Sequence, residues 1–190
     1  MYIIVFGGEE QDAPAYGKVV IAVKPVDAAR LTSVTKEESR GKLKNYRVAA
    51  ITPELIDPSI LYVEVNSRIF FDSSKTELTK TQIRDNAISE FQSYIDTSNT
   101  EKFNGKFRYS KAVAVIDNSD VSINSNLTSV TMRKDFYAQI NSTSYYEVCY
   151  QNAFLDDDDP VVSSTGFVVT EYPTFTVYLE DRLGKMILYR

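Results

Sequence analysis

The sequence predicts an α+β protein: a ferredoxin-like βαββαβ unit followed by a smaller antiparallel β module. Three observations predict it. Residues 17–24 and 60–71 are β-branched or alternating runs that read as strands. Residues 79–96 repeat apolar side chains at helical spacing. After Arg133 the helical period disappears, and Tyr, Val, Thr and Phe dominate.

The elements follow in order. Residues 2–6 read as a first strand that Gly7-Gly8 ends. After a polar loop with Pro14, residues 17–24 form a buried strand that stops at Pro25. Residues 35–46 are charged, with Leu43 and Tyr46 inward, and read as a helix with a Thr35/Glu38 capping box. Gly41 weakens that helix by about 1 kcal/mol relative to Ala. Residues 47–52 read as a short strand ended by Pro53.

Leu61, Val63, Val65, Ile69 and Phe71 share one parity, as one face of a long strand requires. In the helix at 79–96, Ile83, Ala87, Phe91 and Tyr94, with Ile88 and Ile95, form the apolar stripe, and Thr79 with Gln82 supplies a capping box. Ile83, Ala87, Phe91 and Ile95 are expected to pack on a sheet containing Val19, Ile21, Val63 and Val65. Residues 98–105 read as a polar loop, 110–116 as a short apolar helix, 117–120 as a turn, and 121–132 as a strand region with a polar centre. The order matches βαββαβ with one extra helix.

The domain boundary is expected near residue 135, giving an α+β domain over 1–134 and a β-rich module over 135–190. The module's strands read as 137–150, 161–170, 175–179 and 186–189. Residues 181–185 are a hairpin turn with Gly184 at the positive-φ site. Strands abut both ends of the chain, which reads as an internal piece of a longer protein.

Composition excludes whole classes of chemistry. The chain has 190 residues and no His, so Ser-His-Asp and Cys-His catalysis are impossible, as are imidazole metal sites. Cys149 is the single cysteine, so no internal disulfide forms; flanked by Val148 and Tyr150, it reads as a small buried apolar group. The net charge of −5 argues against nucleic-acid binding, which needs clustered cations. No apolar run approaches the roughly 20 residues of a membrane span, and the first residues lack a basic signal-peptide region. A soluble protein made in a reducing cytoplasm is expected.

The remaining constellations have plain readings. Residues 156–159 are four consecutive aspartates without the alternation or glycine of a Ca²⁺ loop, and read as a solvated tip. Gly7, Gly8 and Gly17 fit no phosphate-loop spacing and read as turn residues. The sequons at Asn126 and Asn141 carry no weight without a secretion signal. A glycosidase carboxylate pair is disfavoured without Trp platforms. The 13 tyrosines, among them Tyr145, Tyr146 and Tyr150, fit core packing and an interaction surface equally. No catalytic, cofactor-binding or metal-binding residue is assigned.

Gly7-Gly8-Glu9, then Pro14-Ala15-Tyr16-Gly17-Lys18-Val19-Val20-Ile21-Ala22-Val23-Lys24-Pro25, resembles a segment of the baseplate wedge proteins of T-even-type phages, within the baseplate J-like family of contractile tails. Ile51-Thr52-Pro53-Glu54, Asp57-Pro58 and Leu61-Tyr62-Val63-Glu64-Val65 continue the likeness, as do Phe107-Arg108-Tyr109-Ser110 and the run from Ile116 to Ile123. The resemblance covers roughly residues 5–132. It implies a virion structural protein of the tail baseplate, assembled in the host cytoplasm, without catalytic residues or cofactors. Its partners would be other copies of itself and other wedge subunits in the inner baseplate ring, not nucleic acid or membrane. A homodimer through the β-rich half is expected. The competing reading is a non-catalytic ligand- or protein-binding module on a ferredoxin-like scaffold.

Overall fold

The structure is a computed structural model that describes residues 1–10, 14–26, 28–46, 51–135, 148–150, 162–170, 173–182 and 185–189. The chain separates into two compact units, Met1–Thr143 and Ser144–Arg190. The boundary expected near residue 135 adjoins residues 136–147, which lie outside the described set.

In the first unit, β1 (Tyr2–Gly7) runs antiparallel to β2 (Lys18–Lys24), which in turn runs parallel to β3 (Thr52–Ile56). β2 is central because its Val-Val-Ile-Ala-Val run can be buried on both faces. Val20 and Ala22 are buried on one face and Val23 on the other, at 0%, 3% and 7% exposure. Val19 and Ile21, expected in the sheet beneath α2, are half-buried, while Val20 and Ala22 of the opposite parity are the most buried. Pro53 does not end a strand. It sits within β3, paired with Val19, and β3 is an edge strand where a missing N–H is tolerated. The strand expected at 47–52 falls largely on residues 47–50, outside the described set.

α1 (Ser33–Lys44) packs beside β3 and buries no residue fully. Its N-cap is Thr32, whose hydroxyl accepts from the Thr35 N–H at 3.3 Å, so the expected Thr35/Glu38 box does not form and the cap lies three residues earlier. Both hydroxyl residues satisfy the cap requirement, and Thr32 has the extended φ/ψ that a cap needs. Lys36 ties α1 to Asp57, just beyond β3, at 2.7 Å.

The rest of this unit is a second antiparallel pair. β4 (Tyr62–Phe71) and β5 (Ile123–Arg133) pair from Tyr62↔Arg133 to Phe71↔Ile123, with an irregularity between Phe70 and Phe71. Between them run α2 (Lys80–Thr97) and α3 (Tyr109–Asp117). The Thr79/Gln82 capping box is present: Gln82 N–H donates to the Thr79 hydroxyl, and the Thr79 N–H to the Gln82 side chain at 2.8 Å. α2 packs on α3 and α3 on β5. The centre of this layer is Ile83, Ala87, Ala112 and Ile116, none above 5% exposure. Small alanines let the two helices approach closely. Phe91 and Ile95 are half-buried, and Ile88 faces solvent at 60% exposure, so the stripe expected to be wide is narrow.

The βαββαβ order is therefore present as β2-α1-β3-β4-α2-β5, with α3 as the extra helix. Its strands pair in two sheets, β1-β2-β3 and β4-β5. The ferredoxin-like reading rests on element order alone. Val19 and Ile21 lie in one sheet and Val63 and Val65 in the other, so α2 does not pack on a sheet holding all four.

The second unit contains an antiparallel hairpin, β6 (Tyr178–Arg182) and β7 (Lys185–Tyr189), closing at Arg182↔Lys185. Gly184, assigned to that turn, lies outside the described residues. Single bridges join Ser163 to Glu180 and Phe167 to Val177. Val177 is buried. The strand expected at 137–150 falls mainly outside the described set, whereas the strand expected at 161–170 does not form: residues 162–170 make only the two isolated bridges.

Candidate interaction surface

Several acidic residues of the described regions are held in ion pairs. Lys18–Glu54, Lys36–Asp57 and Arg133–Glu64 are ion pairs at 2.7–2.8 Å. Among the described residues, no group of three or more Cys, Asp or Glu is placed to hold a metal ion. Among the described residues, no helix is long and apolar enough to cross a membrane.

Two aspartates have perturbed acidities, both from turn geometry. Asp72 accepts from the Ser74 hydroxyl and N–H at 2.7 and 2.9 Å. Asp120 accepts from the Ser122 hydroxyl and N–H at 2.5 and 2.8 Å. In each case the serine hydroxyl, then its N–H, holds the carboxyl below its ordinary value. The two turns meet, because the Asp72 N–H donates to the Ser122 carbonyl at 2.9 Å. They close the same end of the β4–β5 pair and present no substrate cleft.

The polar centre read in β5 forms a seam beneath α3. Thr128 donates to the hydroxyl of Ser67, its register partner on β4, at 2.8 Å. The Asn126 amide donates to the Val113 carbonyl at 3.2 Å and to Asp117 at 2.7 Å, fastening β5 to α3. The Tyr109 hydroxyl donates to the Thr128 carbonyl at 2.9 Å. The Asn126 sequon is thus committed to internal hydrogen bonds.

The apolar residues tell a different story. The largest fully buried side chains are Val20 and Ser122. Among the described residues, no Phe or Tyr reaches the buried class. Instead, apolar side chains stand on open faces. Ile3 and Val5 project from β1, an edge strand, at 52% and 57% exposure. Phe70 and Leu127 share the outer face of β4–β5, at 49% and 67% exposure. On β7, Ile187 and Leu188 are successive and both exposed, so both faces of that hairpin are open there.

Several expectations are placed by the structure. Gly17 has φ of 74° and turns the chain into β2, in keeping with its reading as a turn residue. Cys149 is exposed rather than buried; its neighbour Val148 is exposed too, and no strand forms at 148–150 to carry them inward. Tyr150 is half-buried. Tyr145, Tyr146, Asn141 and the aspartates at 156–159 lie outside the described residues. Composition cannot show which apolar residues stay open, because helical or strand periodicity marks a face without marking its partner.

Small cores and open apolar faces characterise the described residues, which hold no candidate metal cluster. Residues 1–56 match the family model of baseplate structural protein gp6, C-terminal domain I, and residues 59–135 match C-terminal domain III of the same protein. The boundary between them falls at the link from β3 to β4. The chain is also 28% identical over 124 residues to baseplate wedge protein gp6 of Enterobacteria phage T4, covering 65% of this chain. The chain spans 19% of the length of that curated relative. Across these residues the chain is similar to the baseplate structural proteins.

Proposed function

We propose that this chain is a structural, non-enzymatic component of a phage-tail baseplate wedge. It is a virion protein of the tail, and its work is to hold subunits together. One observation carries the reading: two adjacent segments match two gp6 C-terminal domains in chain order. The exposed Ile3, Val5, Phe70 and Leu127 support it, since such side chains become stabilising when a neighbour covers them. The partners are other wedge subunits and further copies of this chain in the inner baseplate ring, and the wider kinship is with the J-like proteins of contractile tails.

Self-association runs through the β-rich half as a two-fold homodimer. β7 supports this, with Ile187 and Leu188 exposed on a strand whose outer edge, unpaired among the described residues, is a template for pairing. Mass spectrometry and antibody labelling of purified tails test the function; absence of the protein from intact baseplates refutes it. Light scattering across a wide concentration range tests the dimer; a constant monomer mass ends that part. A dimer that persists after removal of residues 134–190 relocates it.

A further inference from the structure

The loop between α2 and α3 carries a cluster of cations that nothing described above employs. Lys102, Lys106, Arg108 and Lys111 line one cleft of about 550 Å³, together with Tyr94 and Phe103. All four cations are exposed, and among the described residues none of them makes an ion pair. This is unusual in a chain of net charge −5, where carboxylates outnumber cations. Glu101, the acidic neighbour in sequence, is turned to Lys24 instead.

The loop that presents these cations is tightly built. Asn99 and Asn104 hold left-handed φ values of 59° and 60°, conformations that Asn adopts more readily than most residues. A Cβ on Gly105 would meet the Thr100 carbonyl oxygen at 2.4 Å, so only glycine fits without a shift. The Lys102 N–H donates to the Asn99 carbonyl at 3.1 Å, and the Gly105 N–H to the Lys102 carbonyl at 3.0 Å. A shaped loop loses less freedom when a ligand binds.

The local backbone adds to the positive field. The carbonyls at the C-terminal end of α2 are engaged: Thr97 donates to Ser93, and Ser98 and Thr100 donate to Ile95. That mutes the negative end of the helix. α3 starts at the same cleft with no side-chain cap and no acidic residue in its first turn. Its N-terminal end is therefore uncompensated.

We propose that this cleft docks a carboxylate-rich segment of a neighbouring protein subunit. That the neighbour is a baseplate subunit rests on the function proposed above; the acidic chemistry does not. A protein segment fits better than nucleic acid on two grounds. The patch is four cations wide and short, and the rest of the chain repels a polyanion at longer range. Tyr94 and Phe103 are half-buried, which limits the ring face open for stacking a base.

The test uses the full chain and a fluorescein-labelled peptide with four consecutive aspartates, the run that this sequence itself has at 156–159. Fluorescence anisotropy is expected to show saturable binding that weakens with added salt, and no binding of a tetraserine control. The double variant Lys102→Glu, Lys106→Glu is expected to lose affinity about tenfold or more, while Lys102→Arg, Lys106→Arg keeps it within about threefold, as charge rather than fork geometry sets the contact. Circular dichroism checks that both variants fold. Absence of aspartate-peptide binding overturns the proposal, as does binding unchanged by charge reversal. Tighter binding of a single-stranded oligonucleotide than of the peptide also overturns it. Each of these outcomes leaves the presence of the protein in tails untouched, so the two readings fail separately.

Discussion

Lys24 on β2 and Glu101 after α2, 77 positions apart in sequence, form an ion pair that joins the segment matched to domain I with the segment matched to domain III. The Lys24 side chain is only 15% exposed and its ammonium lies 5.8 Å from the centre of the Tyr2 ring, while the Glu101 side chain is 54% exposed. Half of the pair is thus open to water and screened. Glu101→Gln is expected to lower stability by less than ~1 kcal/mol. Urea unfolding at low and high salt checks it: the gap between variant and wild type should shrink as salt rises.

Thr128 is the hinge of the polar seam, bonded to both Ser67 and Asn126. Thr128→Val keeps the shape but leaves those partners without it, at a cost of about 1–3 kcal/mol. Pairing it with Ser67→Ala should cost less than the two changes summed, since both remove one bond. Denaturant midpoints of the single and double variants measure this.

On α2, depth of burial separates two substitutions. Ile83 is 2% exposed, and Ile83→Ala is expected to cost about 2–5 kcal/mol. Phe91 is half-buried, with its ring tilted against Tyr94 at 6.1 Å. Phe91→Ala should therefore fall below the roughly 3–5 kcal/mol of a fully buried phenylalanine. Equal losses at the two positions would place Phe91 deeper than described.

Acid sensitivity follows from the two Asp–Ser turns. The Ser74 and Ser122 hydroxyls and N–H groups hold the carboxyls of Asp72 and Asp120 below the ordinary aspartate value in the folded state. Their contribution is present above the unfolded value and is lost as pH falls through the folded one. Stability should decline only at pH below about 4 from this source, and the decline should flatten in Asp120→Asn. Thermal unfolding between pH 2 and 6 reads it.

The sequence was most legible where local chemistry decides the outcome. Thr79 and Gln82 announce the start of α2, and the alternation from Val63 to Phe71 marks the inner face of β4. It was least legible where long-range pairing decides. The parity of β2 could not be read because Val and Ile occupy both faces of a central strand, so alternation is silent there. Pro53 was read as a stop, although an edge strand can hold it. The order of elements suggested one sheet, and only pairing partners distinguish one sheet from two. Of the candidate surface, the Asn and Gly residues of the 99–105 loop were visible as a polar loop. The gathering of Lys102 and Lys106 with Arg108 and Lys111 was not, because it depends on how α2 turns into α3.

Leu127 offers the clearest separation of folding from assembly. It stands on the outer face of β5 at 67% exposure, directly opposite Arg68 on β4. Removing it from water adds little to the isolated fold, so its replacement should shift stability by no more than about 0.5 kcal/mol. Leu127→Glu places a carboxylate across from the Arg68 guanidinium, an opposite-charge cross-strand pair worth roughly 0.2–1 kcal/mol in favour of the fold. An unfolding midpoint at or above the wild-type value is therefore expected. Covering that face with a neighbouring subunit would now bury a charge, which costs far more than the lost leucine contact. Complementation with the variant is expected to yield few intact baseplates although the soluble protein accumulates normally. Incorporation at wild-type level, with the fold intact, would show that the outer face of β4–β5 stays open to solvent in the assembled tail.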